Sequence, residues 1–189
     1  HGTITAIPDQ RPFEITTLRQ DVGTDGRRAE VKYTKDWAVD AARRDFTMNA
    51  LSADPDGTVY DYIDGLKDLR AGRVRFIGDA KERIAEDHLR ILRFFRFHAN
   101  YSMTEPDAEA LQACREAASQ VEKLSGERIW QELSRILVVG EPMQVFALME
   151  EARILRLLFP VGRSKSRLQA MAALEGMVRL APEPVRRLT

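Results

Sequence analysis

Asp87 and Arg90, in Glu86-Asp87-His88-Leu89-Arg90-Ile91-Leu92-Arg93, place a carboxylate three residues before a guanidinium. On a helix such a pair points the same way and offers a hydrogen-bond acceptor beside a donor. Adenine and cytosine carry, on their pairing edges, an exocyclic amino donor next to a ring-nitrogen acceptor. Asp87 could accept from the amino group while Arg90 donates to the ring nitrogen. Guanine and uracil present the reverse order, which opposes like groups and leaves them unpaired, the strong form of rejection. Arg93 and Arg96 continue the spacing and suit phosphates, where charge and planar fork geometry both help. The plainer reading of one Asp-x-x-Arg is a surface salt bridge, so other residues have to decide.

A second cluster lies upstream in Arg43-Arg44-Asp45-Phe46-Thr47-Met48-Asn49. Arg43, Arg44, Asp45 and Asn49 supply phosphate-binding cations, an acceptor for a ribose hydroxyl and an amide within about two helical turns. On its own this would be an ordinary charged helix end. Together, Arg43 to Leu51, Asp61-Tyr62-Ile63-Asp64-Gly65-Leu66-Lys67-Asp68-Leu69 and Glu86 to Arg93 resemble, in order and spacing, the motifs of class II tRNA nucleotidyltransferases (CCA-adding enzymes) and bacterial poly(A) polymerases.

The resemblance spans roughly residues 1–160 and implies a template-independent polymerase with a polymerase β-like head. It implies that Arg44 and Asp45 hold the phosphates and sugar of an incoming nucleotide, that Asp87 and Arg90 select C and A, and that Arg93 and Arg96 add nucleotide contacts. The Asp61–Leu69 segment resembles the hinge between head and neck, and the polar stretch 19–36 resembles the family's flexible loop. The implied activity is addition of CMP and AMP from CTP and ATP to the 3′ end of tRNA, releasing pyrophosphate. Alternatives are an A-only polymerase and a non-catalytic nucleotide- or RNA-binding fragment. Mg²⁺ is expected for the complete enzyme. Its Asp-x-Asp ligands are expected upstream of His1, so this piece alone is expected to be inactive, with no metal ligand of its own. Glu14 occupies the strand position where a further catalytic carboxylate would sit. Asp54-Pro55-Asp56-Gly57 has metal-pair spacing, but its Pro and Gly make it a turn.

The positioning elements follow from pattern. Asp79, with Glu82 three residues on, predicts the N-terminus of one long helix through Phe97. Ile84, His88, Ile91, Leu92 and Phe95 gather on one face of it, while Phe94 and Phe97 among the arginines imply that the other side is covered as well. Thr3 to Ile7 and Pro12 to Leu18 alternate as two strands of a hairpin. Residues 19–36 read as a mobile loop with a faint strand signal at Val31 and Tyr33. Downstream the chain reads as helices over Asp107–Lys123, from Ser125-Gly126, from Pro142 through Leu158, and over Leu168–Leu180, with a basic linker at 163–167 and a new helix beginning at Pro184. Glu127 to Leu137 resembles the family's last motif, which braces the neck, with Glu132 expected to pair with Arg128 or Arg135.

The expected fold is α+β: a partial head of mixed sheet and helix (1–65), an all-helical neck (66–125) and a helical body (126–189). Of 189 residues 44% are hydrophobic and 31% charged, a globular composition, and 29 basic residues balance 29 acidic ones. Affinity for a polyanion must therefore be local, and from Arg70 to Arg96 eight basic residues meet four acidic ones. The single cysteine, Cys114, excludes an internal disulfide and fits a reducing compartment. No signal-peptide pattern and no membrane-length apolar run is present, so the expected location is cytoplasmic, with no membrane partner. The sequence leaves the oligomeric state open.

Overall fold

Asp79, Asp107 and Ser125 each start a helix, because each side chain accepts a hydrogen bond from a backbone N–H that a helix start leaves unpaired. The computed structural model describes residues 2–24, 29–159 and 165–188. Among the described residues there are three two-stranded antiparallel ribbons: β1 (Thr3–Ala6) with β2 (Phe13–Thr16), β3 (Arg19–Thr24) with β4 (Ala29–Tyr33) and, after the first helix, β5 (Ser52–Ala53) with β6 (Val59–Tyr60). That first helix is α1 (Trp37–Ala42), and helices α2 (Gly65–Ala71), α3 (Ala80–Glu86), α4 (Leu89–Tyr101), α5 (Ala108–Glu116), α6 (Gly126–Leu137), α7 (Pro142–Glu151), α8 (Leu155–Leu158), α9 (Lys165–Met177) and α10 (Pro184–Leu188) follow in order. The architecture is mixed, with small ribbons at the front and helices behind, as the expected fold class required. Among the described residues no helix is long and apolar enough to cross a membrane.

The expected first hairpin forms, with Thr5 opposite Glu14 and Ile4 opposite Ile15. Asp54 to Gly57 is a turn, as expected: the Gly57 N–H reaches the Asp54 carbonyl at 2.9 Å, and φ of +93° at Gly57 is one glycine tolerates. The stretch read as a loop over 19–36 is a correction. It pairs as β3–β4 with a bulge between Asp21 and Gly23, and its tip at 25–28 lies outside the described residues. A ribbon needs no buried face to be paired, so the alternation that reveals a strand is missing.

The long helix expected from Asp79 to Phe97 is two helices. Asp87 is extended (φ −153°, ψ 109°), and its Oδ1 accepts from the Leu89 N–H at 3.0 Å. Aspartate competes well for such a capping role and poorly for a helix interior, so the chain breaks there and restarts. Likewise residues 43–49, which on their own read as a charged helix end, lie past α1: that helix stops at Ala42, and a 3-10 turn spans Thr47–Asn49. Phe46 is pulled out of it (φ −120°, ψ 151°) to bridge Phe76, with Thr47 and Ile77 donating to the Arg75 and Asp45 carbonyls at 3.1 and 3.0 Å. The rings of Phe46, Phe76, Phe94 and Phe97 then stack into one cluster, with centroids 4.9 Å apart for Phe46–Phe76 and 4.7 Å for Phe46–Phe97.

The core runs from that cluster through Ile91, Leu92 and Phe95 of α4 to Cys114, Val121, Leu133, Ile136, Phe146 and Met149. Both sides of α4 are thus covered, as its phenylalanines implied. The helix expected through Leu158 is interrupted at Arg153 (φ +64°), where Ile154 N–H turns back to the Met149 carbonyl. The helix expected over Leu168–Leu180 runs instead from Lys165 to Met177, so the basic linker is helical from Lys165, while its residues 163–164 lie outside the described part. At the far end a buried pair, Glu175 with Arg187 at 2.6 Å, joins α9 to α10, and Arg187 Nη1 also donates to the Leu137 and Val139 carbonyls beyond the last turn of α6. Burial works against that carboxylate, but the guanidinium groups of Arg186 and Arg187 hold it below the usual glutamate range.

Gly65 begins α2 where the backbone of the 47–49 turn passes so close that a Cβ would overlap the Thr47 carbonyl oxygen. The same joint is closed by Thr47 Oγ1 donating to buried Asp68 at 2.6 Å, with Arg75 on the same oxygen at 3.0 Å. Gly65→Ala should therefore destabilise by about 1–3 kcal/mol, the usual cost of overpacking. The urea midpoint of the full-length protein reads this, and an unchanged midpoint would show that the joint is slack.

Candidate functional site

The two motif clusters, 43–49 and 86–96, meet through one carboxylate. Asp45 Oδ1 accepts from Arg90 Nε at 3.3 Å, and its Oδ2 accepts from Arg93 Nε. Asp45 is placed there by the Phe46–Phe76 bridge beneath it, and the arginines by the buried face of α4. Asp40, buried in α1, grips the other side of the cluster: it accepts from the Arg19 N–H at 3.0 Å, Arg43 Nη2 at 2.7 Å and Arg44 Nη2 at 3.2 Å. Burial raises the Asp40 pKa, but these donors prevail and hold it below its ordinary value. Arg44 also reaches the Asn49 carbonyl at 3.3 Å, while the Asn49 amide oxygen accepts from the Phe46 N–H at 3.2 Å. Asn49 and Asp45 therefore do not share a helix face; Asn49 caps the turn that follows Asp45.

Arg90 is only 7% exposed. Its Nη1 donates to the Arg83 carbonyl at 2.7 Å and to Glu86, and its Nη2 to the Arg43 carbonyl at 3.3 Å. Arg83 in turn donates to the Arg43 and Arg44 carbonyls, a role with no sequence signal because its partners lie about forty positions away. Burial first, and then the neighbouring Arg90 guanidinium, push the Arg83 pKa below its ordinary value. Asp40 was also missed, although its spacing to Arg43 and Arg44 (three and four residues) was a usable signal.

One face of α6 holds the other end of the site. Arg128 Nη2 sits on both oxygens of Asp87, at 2.9 and 2.8 Å. One turn on, Glu132 accepts from Arg96 and lies 3.6 Å from Arg93 Nη1. This corrects the expectation that Glu132 pairs with Arg128 or Arg135. The phenyl ring of Phe97 carries the Arg96 guanidinium at 4.6 Å from its centroid and that of Arg93 at 5.7 Å. Arg93 and Arg96, read as facing phosphates, are thus set among protein carboxylates.

The hydrogen-bond inventory shows what remains for a ligand. A guanidinium has five N–H donors, and Arg90 uses four, which leaves one on Nη2. Asp87 Oδ1 takes Leu89 N–H and Arg128, while Oδ2 takes Arg128 alone and keeps acceptor capacity. Asp87 thus keeps acceptor capacity and Arg90 one donor, the two kinds of group that an amino group and a ring nitrogen require. Asp87 lies two residues before α4 and Arg90 is the second residue of that helix, and the Arg90 N–H bonds the Asp87 carbonyl at 3.0 Å.

Glu14 is not part of this cluster: it lies exposed on β2 opposite Thr5. Among the described residues no group of three or more His, Cys, Asp or Glu side chains is placed to hold a metal ion, so these residues do not fit a Mg²⁺ centre.

Residues 1–75 match the poly(A) polymerase head domain, and residues 105–165 match the probable RNA- and SrmB-binding site of polymerase A. The chain is 54% identical over 140 residues to the CCA tRNA nucleotidyltransferase 1, mitochondrial, of Homo sapiens, an alignment covering 73% of this chain and 32% of that protein. Among solved structures it is similar to the Bacillus stearothermophilus CCA-adding enzyme in complex with CTP (TM-score 0.75, 28% identity, covering 92% of this chain and 42% of that one). It is also similar to the Thermotoga maritima CCA-adding enzyme in complex with tRNA (TM-score 0.60, 26% identity, covering 76% and 35%). The chain thus spans about a third of the length of the curated relative.

Two outcomes follow from this charge network. Glu132→Ala strands the Arg96 guanidinium beside the core, while Arg93 keeps Asp45, and should cost about 3–5 kcal/mol, whereas Glu151→Ala, at the exposed Arg115 pair, should cost about 0–1 kcal/mol. Chemical denaturation of the two variants checks the contrast. Because the Asp40 pKa is depressed in the folded state, its contribution is fully present above its ordinary value of 3.8 and is lost as pH falls through the folded value. Asp40→Asn should flatten that part of the acid limb when the denaturation midpoint is followed against pH.

Proposed function

The chain belongs to the family of tRNA nucleotidyltransferases and poly(A) polymerases, and from that premise we propose that it is part of an enzyme that adds CMP and AMP to the 3′ end of tRNA. CTP and ATP are the donors, and pyrophosphate leaves. Asp87 accepts from the exocyclic amino group of cytosine or adenine, and Arg90 donates to the adjacent ring nitrogen. Arg44, Asp45 and Asn49 seat the sugar and phosphates, and Arg93, paired with Asp45, and Arg96, paired with Glu132, add nucleotide contacts. The observation that carries this reading is that Asp87 keeps acceptor capacity and Arg90, bonded to Asp45, keeps one donor.

A division into head (1–65), neck (66–125) and body (126–189) goes with this reading. So does Mg²⁺ in the complete enzyme, although no described carboxylate set of this chain would hold it, and Glu14 has no step assigned to it here. A cytoplasmic location goes with this reading, in which Cys114 is buried and free, whereas the human relative is by name mitochondrial.

The test incubates the full-length protein with tRNA lacking its terminal CCA and each labelled nucleotide in turn. Incorporation of C and then A is expected; incorporation of A alone would replace CCA addition by an A-only polymerase, and no incorporation would leave a binding fragment. Asp87→Ala should weaken discrimination against UTP and GTP by about tenfold or more, the size of one lost charged hydrogen bond. Unchanged selectivity would remove Asp87 from base reading.

A further inference from the structure

We infer that Arg128 is a specificity-determining residue that acts through Asp87: it sets which lone pair of the carboxylate is left for the base. This rests on the reading of Asp87 given above.

Asp87 lies at the break between α3 and α4, in extended backbone, so no helical ladder fixes its carboxylate. Three hydrogen bonds do. The Leu89 N–H and Arg128 Nη2 both take Oδ1, and the same Nη2 takes Oδ2, which fills Oδ1 and leaves one site on Oδ2. Without Arg128 only the Leu89 N–H would hold the side chain, and that bond constrains one oxygen and leaves the carboxylate free to turn about it. A base would then meet an acceptor of no fixed direction, and the penalty for presenting the wrong edge would fall.

Bracing the neck does not require this pair. The two side chains are each 31% exposed, a setting in which an ion pair adds little to stability. The packing of α6 on α4 is carried by Leu133, Ile136 and Leu137 against Ile91, Leu92 and Phe95, and Glu132 supplies the buried charge contact one turn away. Arg128 is therefore poorly placed to matter for stability and well placed to matter for direction. Its guanidinium is aimed by the first turn of α6, whose start is fixed by Ser125 Oγ accepting the Arg128 N–H at 3.4 Å.

The experiment compares Arg128→Ala, Arg128→Lys and Asp87→Ala in the full-length protein. Steady-state incorporation is measured with each of the four nucleotides on tRNA lacking CCA, together with melting temperature. For Arg128→Ala the expected result is a raised KM for CTP and ATP, a kcat held near wild type, a melting temperature within a few degrees, and relative use of UTP and GTP increased by about tenfold to a hundredfold. Arg128→Lys should recover part of the selectivity, because an ammonium can sit on the carboxylate but holds its plane less firmly. If Arg128→Ala slows all four nucleotides in proportion, or lowers only the melting temperature, while Asp87→Ala destroys selectivity, Arg128 is a brace and this inference is overturned with the reading of Asp87 intact. If Asp87→Ala itself leaves selectivity unchanged, both fall together.

Discussion

The described structure turns on the charge pairing between Asp45 and the two arginines of α4. Residues 43–49 are short, turn-like and poor in apolar side chains; only Phe46 and Met48 give them purchase on the core. A carboxylate facing two guanidinium groups converts that weak packing into a defined position, since the Asp45 charge would lose both partners if the segment moved away. The aromatic cluster beneath sets the depth of the segment, and the ion pairs set its register along α4.

Around this centre charges alternate outward. Asp40 holds Arg43 and Arg44, Asp45 holds Arg90 and Arg93, Glu132 holds Arg96, and Arg128 holds Asp87. A chain with no net formal charge can thus carry a dense arginine cluster without self-repulsion, and the donors it leaves over are few and directed. A surface of free cations would attract any polyanion. This arrangement instead uses most of its hydrogen-bonding capacity internally.

Much of this was legible in the residues themselves. Asp79, Asp107, Ser125 and Pro142 announce helix starts by local chemistry that tertiary context rarely overrides, and the covered back of α4 could be read from Phe94 and Phe97 alone. The break at Asp87 was not legible, because Glu86-Asp87-His88 satisfies both a helix interior and a cap, and here the Asp87 carboxylate takes the Leu89 N–H instead of continuing the helix. The partner of Glu132 was misassigned as well: spacing nominates neighbours on its own helix, whereas the carboxylate faces across to α4. The β3–β4 ribbon was hidden because polar strands lack the period that distinguishes them from loops.

The Glu175–Arg187 pair has a further consequence for motion. Two opposite charges shut away from water have no inexpensive half-way arrangement, and here one of them also satisfies the carbonyl groups at the end of α6. Helices α9 and α10 and the end of α6 are therefore bound to open and close as a single cooperative unit, so that amide protons along all three should exchange with solvent at a common rate, whereas the exposed ribbons at the other end of the chain fray strand by strand.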